Sequence, residues 1–113
     1  MFTQPDSSSE MISMTTTVVF LVHKTLPGKR DAVKTVWMKH MAAAIQGNED
    51  HLRYYYCFDD EDEDAVCAFQ EYRSKEAARA FLSRPSYRAY LSEVEPLLAG
   101  PPAVRSLAPQ WMK

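Results

Sequence analysis

The chain has 113 residues, with 13 Lys and Arg against 15 Asp and Glu and a formal net charge of −2, which sets the size at one domain with a modest core. The charges are mixed and dispersed and no nucleic-acid motif is present, which excludes a nucleic-acid footprint; no apolar run reaches the ~18 residues of a membrane span. The opening MFTQPDSSSEMISM has neither the basic start nor the apolar block of an export signal, so a cytoplasmic location is expected, with Cys57 and Cys67 as free thiols.

Residues 1–14 are polar and carry Ser7-Ser8-Ser9, which reads as a flexible N-terminal arm preceding a single α+β domain over 15–113. Thr15 to Lys24 is dense in β-branched residues and reads as a strand. Leu26-Pro27-Gly28-Lys29 predicts a type II turn, Pro presetting φ and Gly supplying the positive-φ position. Asp31 to Ile45 follows the helical period through Val33, Val36, Trp37, Met41, Ala44 and Ile45, and Gly47-Asn48 ends it. Leu52–Phe58 and Val66–Tyr72 read as two strands. The segment between them, DDEDEDA, carries six carboxylates in seven residues and reads as a solvated tip. Ser74 is a natural N-cap for a helix over Lys75–Leu82. A further helix is expected over Ser86–Leu98, with an apolar stripe of Tyr87, Tyr90, Leu91, Val94 and Leu98. Gly100-Pro101-Pro102 stops it, and Ala103–Leu107 is a short last strand.

The hairpin register is set by pairing Phe58 with Val66. Tyr56 then faces Ala68, Tyr54 faces Gln70 and Leu52 faces Tyr72, while Cys57 meets Cys67, Tyr55 meets Phe69 and Arg53 meets Glu71, a favourable cross-strand ion pair. His51, just before the strand, reads as a surface residue. The element order β-α-β-β-α-β is the ferredoxin-like arrangement, a four-stranded antiparallel sheet with helices on one face. The other face would expose Tyr55, Cys57, Cys67 and Phe69. A face that apolar predicts a partner, and the expected one is a second copy packed sheet to sheet in a homodimer.

Several motifs, in order, make the chain resemble the antibiotic biosynthesis monooxygenase family. They are Leu26-Pro27-Gly28-Lys29, Gly47, Glu71-Tyr72-Arg73-Ser74, Glu76-Ala77, Ser83-Arg84-Pro85-Ser86-Tyr87, and the ending Leu97-Leu98 to Pro102-Ala103-Val104, together spanning about residues 16–108. The resemblance implies a dimeric α/β barrel that oxidises a phenolic or quinol-like aromatic with molecular oxygen and needs no cofactor or metal. Many relatives carry Trp where this chain has Tyr72, and His where it has Phe81. The haem-degrading branch carries Asn near the position of Leu21, so haem degradation is not implied.

If Tyr72 points into the cavity as the resemblance implies, Tyr54, Tyr56 and Gln70 share its side, with His23 on the first strand, Val33, Trp37 and His40 on the first helix, and Tyr87, Tyr90 and Leu91 on the last. That set is an aromatic box with a few polar handles, suited to a flat hydroxylated ring. His40 is expected to be the base that deprotonates the substrate and Tyr72 to stand in for the family's Trp; His23, Trp37, Tyr54, Tyr56, Gln70, Phe81 and Tyr87 are expected to bind the ring. The histidines lack metal-ligand spacing and the acidic tip lacks the glycine and spaced ligands of a calcium loop. The expected activity is a cofactor-independent monooxygenase. The alternative is a non-oxygenase barrel, isomerase- or cyclase-like, or a small-molecule binding module.

Overall fold

In the computed structural model, which describes residues 16–113, the strands are β1 Thr17–Lys24, β2 His51–Phe58, β3 Ala65–Tyr72 and β4 Ala103–Leu107. They form one antiparallel sheet in the order β2-β3-β1-β4. This is the expected α+β ferredoxin-like sheet, in which β3 pairs between β2 and β1 and the helices cross one face. The proposed arm over residues 1–14 lies outside the described residues. The turn before the first helix is as expected: Gly28 has φ +76°, and Lys29 N–H donates to the Leu26 carbonyl at 3.0 Å.

The first helix differs from its expected form. It starts as α1 (Arg30–Trp37), widens into a π turn over Met38–Ala42, and finishes as α2 (Ala43–Gln46). A π turn accommodates one extra residue, so side chains beyond it are rotated relative to an unbroken α-helix. The inward stripe therefore runs Val33, Val36, Met41 rather than through His40. The later helices are α3 (Lys75–Phe81), capped by Ser74 Oγ accepting from Ala77 N–H at 3.0 Å, and α4 (Pro85–Val94), which tightens into a 3₁₀ turn at Glu95–Leu97. Val33, Phe81 and Val94 are fully buried between helices and sheet, with Val66 beneath them.

The hairpin register holds from Phe58↔Val66 to Arg53↔Glu71, with Cys57 opposite Cys67 and both thiols free. The Arg53 and Glu71 side chains meet at 2.7 Å. The last expected pair does not form. A β-bulge between His51 and Arg53 sets His51 against Tyr72, and Leu52, expected on the cavity side, is turned to solvent. Bulges re-aim side chains in this way. His51 is thus no surface residue, because its ring is carried under the helices.

The acidic tip is more ordered than its charge implies. Arg30 Nη1 donates to the carbonyls of Asp59 and Asp62, each at 2.9 Å, and its guanidinium lies 4.1 Å from the Phe58 ring centre. Asp59 Oδ1 accepts from Glu61 and Asp62 N–H, Asp64 Oδ1 accepts from Gly28 N–H, and Lys24 pairs with Asp62. On the open sheet face Tyr55 and Phe69 pack edge to face, both exposed, and the C-terminal segment with Trp111 and Met112 borders a groove beside them.

Candidate active site

An aromatic cavity of about 220 Å³ lies between the sheet and the helices. Strand alternation explains its floor. Val19, Leu21 and His23 of β1 pair with Gln70, Ala68 and Val66 of β3, so all six point to one side, joined by Tyr54 and Tyr56 from β2 and Val104 from β4. The helices close it with Trp37, Met41, Phe81, Tyr87 and Tyr90. Trp37 stacks on Tyr56 with ring centres 4.2 Å apart and planes 25° from parallel, and tilts against Tyr54 at 5.6 Å. Arg79, exposed on α3, brings a guanidinium to the rim.

The structure therefore brings together His23, Trp37, Tyr54, Tyr56, Gln70, Tyr72, Phe81 and Tyr87, and it does not bring His40. The π turn carries that ring to the helix flank, where Nε2 meets the Glu93 carboxylate at 2.7 Å. Leu91 is likewise absent from this lining: it borders a second cleft of about 430 Å³ under Leu98–Pro102. Val33 is packed in the core. Sequence reasoning missed His51, whose displacement depends on a bulge that the strand pattern does not announce. It also missed Ala78, Pro102 and Val104 in the wall. Val104 was available from β4 alternation once the sheet order was known.

The electrostatics divide the polar groups by role. Burial raises the Tyr54 phenol to about 12, opposed by the Trp37 indole N–H directed at its oxygen. Burial likewise raises Tyr56, Tyr72, Tyr87 and Tyr90. Each of these phenols is neutral at physiological pH, so none is a base. Burial moves the imidazoles the other way. His23, 5% exposed, is held below the ordinary histidine value, so its ring is neutral and keeps a free lone pair at pH 7. It also lies where the aromatic cavity and the second cleft meet. Tyr72 Oη donates to Gln70 Oε1 at 2.6 Å. The Tyr56 hydroxyl is buried with no hydrogen-bond partner, and the Trp37 indole N–H, directed at Tyr54, falls short of good hydrogen-bond geometry. Unpaired buried polar atoms are costly, which makes them informative. Among the described residues no group of three or more His, Cys, Asp or Glu is arranged to hold a metal, and no helix is long and apolar enough to cross a membrane.

A four-stranded ferredoxin-like sheet with an aromatic cavity under its helices defines a ferredoxin-like α+β domain with room for a small ligand. The family model for antibiotic biosynthesis monooxygenases matches residues 16–93, more than half of the chain, and the protein belongs to that family. Solved structures share the fold. A protein of Mycobacterium tuberculosis is 23% identical with a TM-score of 0.77, the match covering 86% of this chain and 97% of that one. A candidate antibiotic biosynthesis monooxygenase of Chloroflexus aurantiacus is 22% identical with a TM-score of 0.74, covering 87% and 96%. A further candidate from Caulobacter crescentus, at 17% identity and a TM-score of 0.79, covers 91% and 97%. No curated protein matches the chain.

Proposed function

We propose that the protein is a cofactor-independent monooxygenase that oxidises a small phenolic or quinol-like aromatic with molecular oxygen. The observation that carries the reading is the cavity itself, with aromatic walls of Trp37, Tyr54, Tyr56, Phe81 and Tyr87 and a few polar groups, His23 and Gln70 among them. A flat hydroxylated ring would find aromatic faces to pack on and polar partners for its oxygens.

The chemistry follows from which groups are neutral. His23 takes the phenolic proton, in place of the His40 expected from the helical stripe, because His23 lines the cavity and His40 does not. The electron-rich phenolate passes one electron to oxygen, and the resulting radical pair combines with formation of a C–O bond. The peroxide so formed takes back the proton that His23 holds and becomes a hydroperoxide. Cleavage of its O–O bond with loss of the hydrogen on the same carbon releases water and leaves a carbonyl. One oxygen atom enters the product and the other leaves as water; the ring supplies all four electrons, so no external reductant is needed. Phe81, Tyr54 and Tyr87 hold the ring and shield the radical pair from water. Tyr72, bonded to Gln70, aligns the oxygen-bearing edge. The exposed Tyr55 and Phe69 support a homodimer closed across the open sheet face, and sedimentation that finds only monomer at micromolar concentration would count against it.

The direct test is oxygen uptake by the purified protein on a panel of dihydroxynaphthalenes and anthrones, with and without chelator. Uptake with quinone formation, insensitive to chelator, is expected. Binding of the panel without uptake would replace this reading by an isomerase-like or binding role.

A further inference from the structure

Most residues that line the aromatic cavity are buried or half-buried. Four are exposed: Arg79 on α3, Leu82 just after it, Pro102 just before β4 and Val104 on it. Those four mark where the cavity meets solvent. Arg79 and Leu82 are three residues apart and so share one side of the helix end. Phe81, between them in sequence, is 2% exposed and packs inward. The last turn of α3 thus supplies both an aromatic ring to the interior and a guanidinium to the mouth.

Arg79 is the one lining residue with a formal charge at pH 7, His23 being neutral. It is also uncommitted. Arg30 bonds to the carbonyls of the hairpin tip, Arg53 pairs with Glu71, Arg73 pairs with Asp50, and Arg84 bonds to Asn48. Among the described residues the Arg79 side chain has no ion pair and no hydrogen bond. Glu76, three residues earlier on the same helix, is spaced to take it, and no ion pair forms between them. A cation in the last turn of a helix also complements the helix dipole. That role is indifferent to what the cavity holds, so the two can be separated.

We propose that Arg79 anchors a carboxylate on the ligand, which makes the substrate class hydroxylated aromatic acids, bound with the ring inside the cavity and the carboxylate at its mouth. This rests on the reading of the cavity as a site for a hydroxylated ring. A volume of about 220 Å³ takes a small ring system, which leaves a substituent on its outer edge close to the rim. The planar guanidinium presents paired N–H groups that match the two oxygens of a carboxylate. Deeper in, the walls are apolar side chains and neutral phenols with no counter-charge, so an anion there would lose its water for nothing. At the mouth it keeps part of its hydration and gains the arginine.

The test compares three ligands by fluorescence titration of the full chain at low ionic strength: 6-hydroxy-2-naphthoate, its methyl ester, and 2-naphthol. The unaltered protein should bind the acid about tenfold more tightly than either neutral ligand, the scale of one charge-assisted hydrogen bond. Added salt should reduce that preference. Arg79→Gln keeps a polar side chain on the helix and should bind the acid no more tightly than the ester. Arg79→Glu should bind the acid more weakly than the ester. A helix-dipole role alone would leave the ratio of acid to ester unchanged in Arg79→Gln. The proposal is overturned if the unaltered protein shows no preference for the acid, or if Arg79→Gln keeps the preference. It is overturned together with the aromatic-ligand reading if none of the three binds. A preference lost in Arg79→Gln, with no oxygen uptake on any phenol, would instead sink the monooxygenase reading and leave Arg79 as the anchor of a binding or isomerase-like site.

Discussion

The tip of the β2–β3 hairpin and the cavity wall behind it are built on opposite plans. At the tip, six carboxylates in sequence are turned into ordered structure, because Arg30, Lys24 and the backbone N–H groups of Gly28, Glu61 and Asp62 meet them or the carbonyls between them. Along the cavity wall, polar groups with less water around them have fewer partners: Tyr56 Oη is buried without one, and Trp37 Nε1–H falls short of good hydrogen-bond geometry. Evolution tolerates poorly paired buried groups where something else completes them. The tip is finished without a ligand and the cavity wall is not, which makes the inward face of the hairpin its functional side.

This contrast breaks most visibly at His23. His23→Ala should lower oxygen uptake on a phenolic substrate by at least about 100-fold, the lower range for loss of a general base, while fluorescence titration shows the ring still binding. A rate left unchanged would remove His23 from the base role. At the tip, Arg30→Ala should cost about 2 kcal/mol in urea unfolding, since it removes charged hydrogen bonds to Asp59 and Asp62, without altering the affinity for a bound phenol. Equal loss of binding would show that the tip and the cavity wall are not separable.

Tyr56→Phe sharpens the comparison with a smaller effect. Removing a hydroxyl that has no partner should leave stability unchanged or raise it by up to about 1 kcal/mol, and should weaken ligand binding. Destabilisation together with unaffected binding would mean the hydroxyl serves the fold. The smallest effect is in acid. His23 and His51 are both held below 6.5 in the folded state. As pH falls below 6.5 the unfolded chain takes up protons first, so stability is full above that value and declines as pH drops toward the folded-state values. Urea midpoints measured across this window should fall, and His51→Phe should make the fall shallower.

The fold was legible because its signals are local and repeated. β-branched runs marked β1, Pro27-Gly28 marked the turn, Ser74 marked the α3 cap, and the Arg53–Glu71 charge match identified the hairpin register. The cavity wall followed from strand alternation once Tyr72 was placed. What was not legible depends on single-residue departures from periodicity. The π turn at Met38–Ala42 left Met41 on the inward stripe and took His40 off it, and the bulge after His51 put His51 opposite Tyr72 in place of Leu52. Each inserts one residue into a regular repeat, and a periodic pattern read from sequence has no means of seeing it. Both lie beside the cavity: the first takes His40 out of it and the second packs His51 behind Tyr72 and Phe81.

The central claim is that a hydroxylated aromatic ligand occupies the cavity against Trp37 and Tyr56. It is tested most directly by the indole N–H resonances of the two tryptophans during titration with 1-naphthol. Trp37 is in the cavity wall, whereas Trp111 is 81% exposed on the tail and serves as an internal control. The Trp37 resonance should shift downfield and exchange more slowly with water at saturation, while that of Trp111 stays in place. A Trp37 resonance that does not move while naphthol binds would contradict the account.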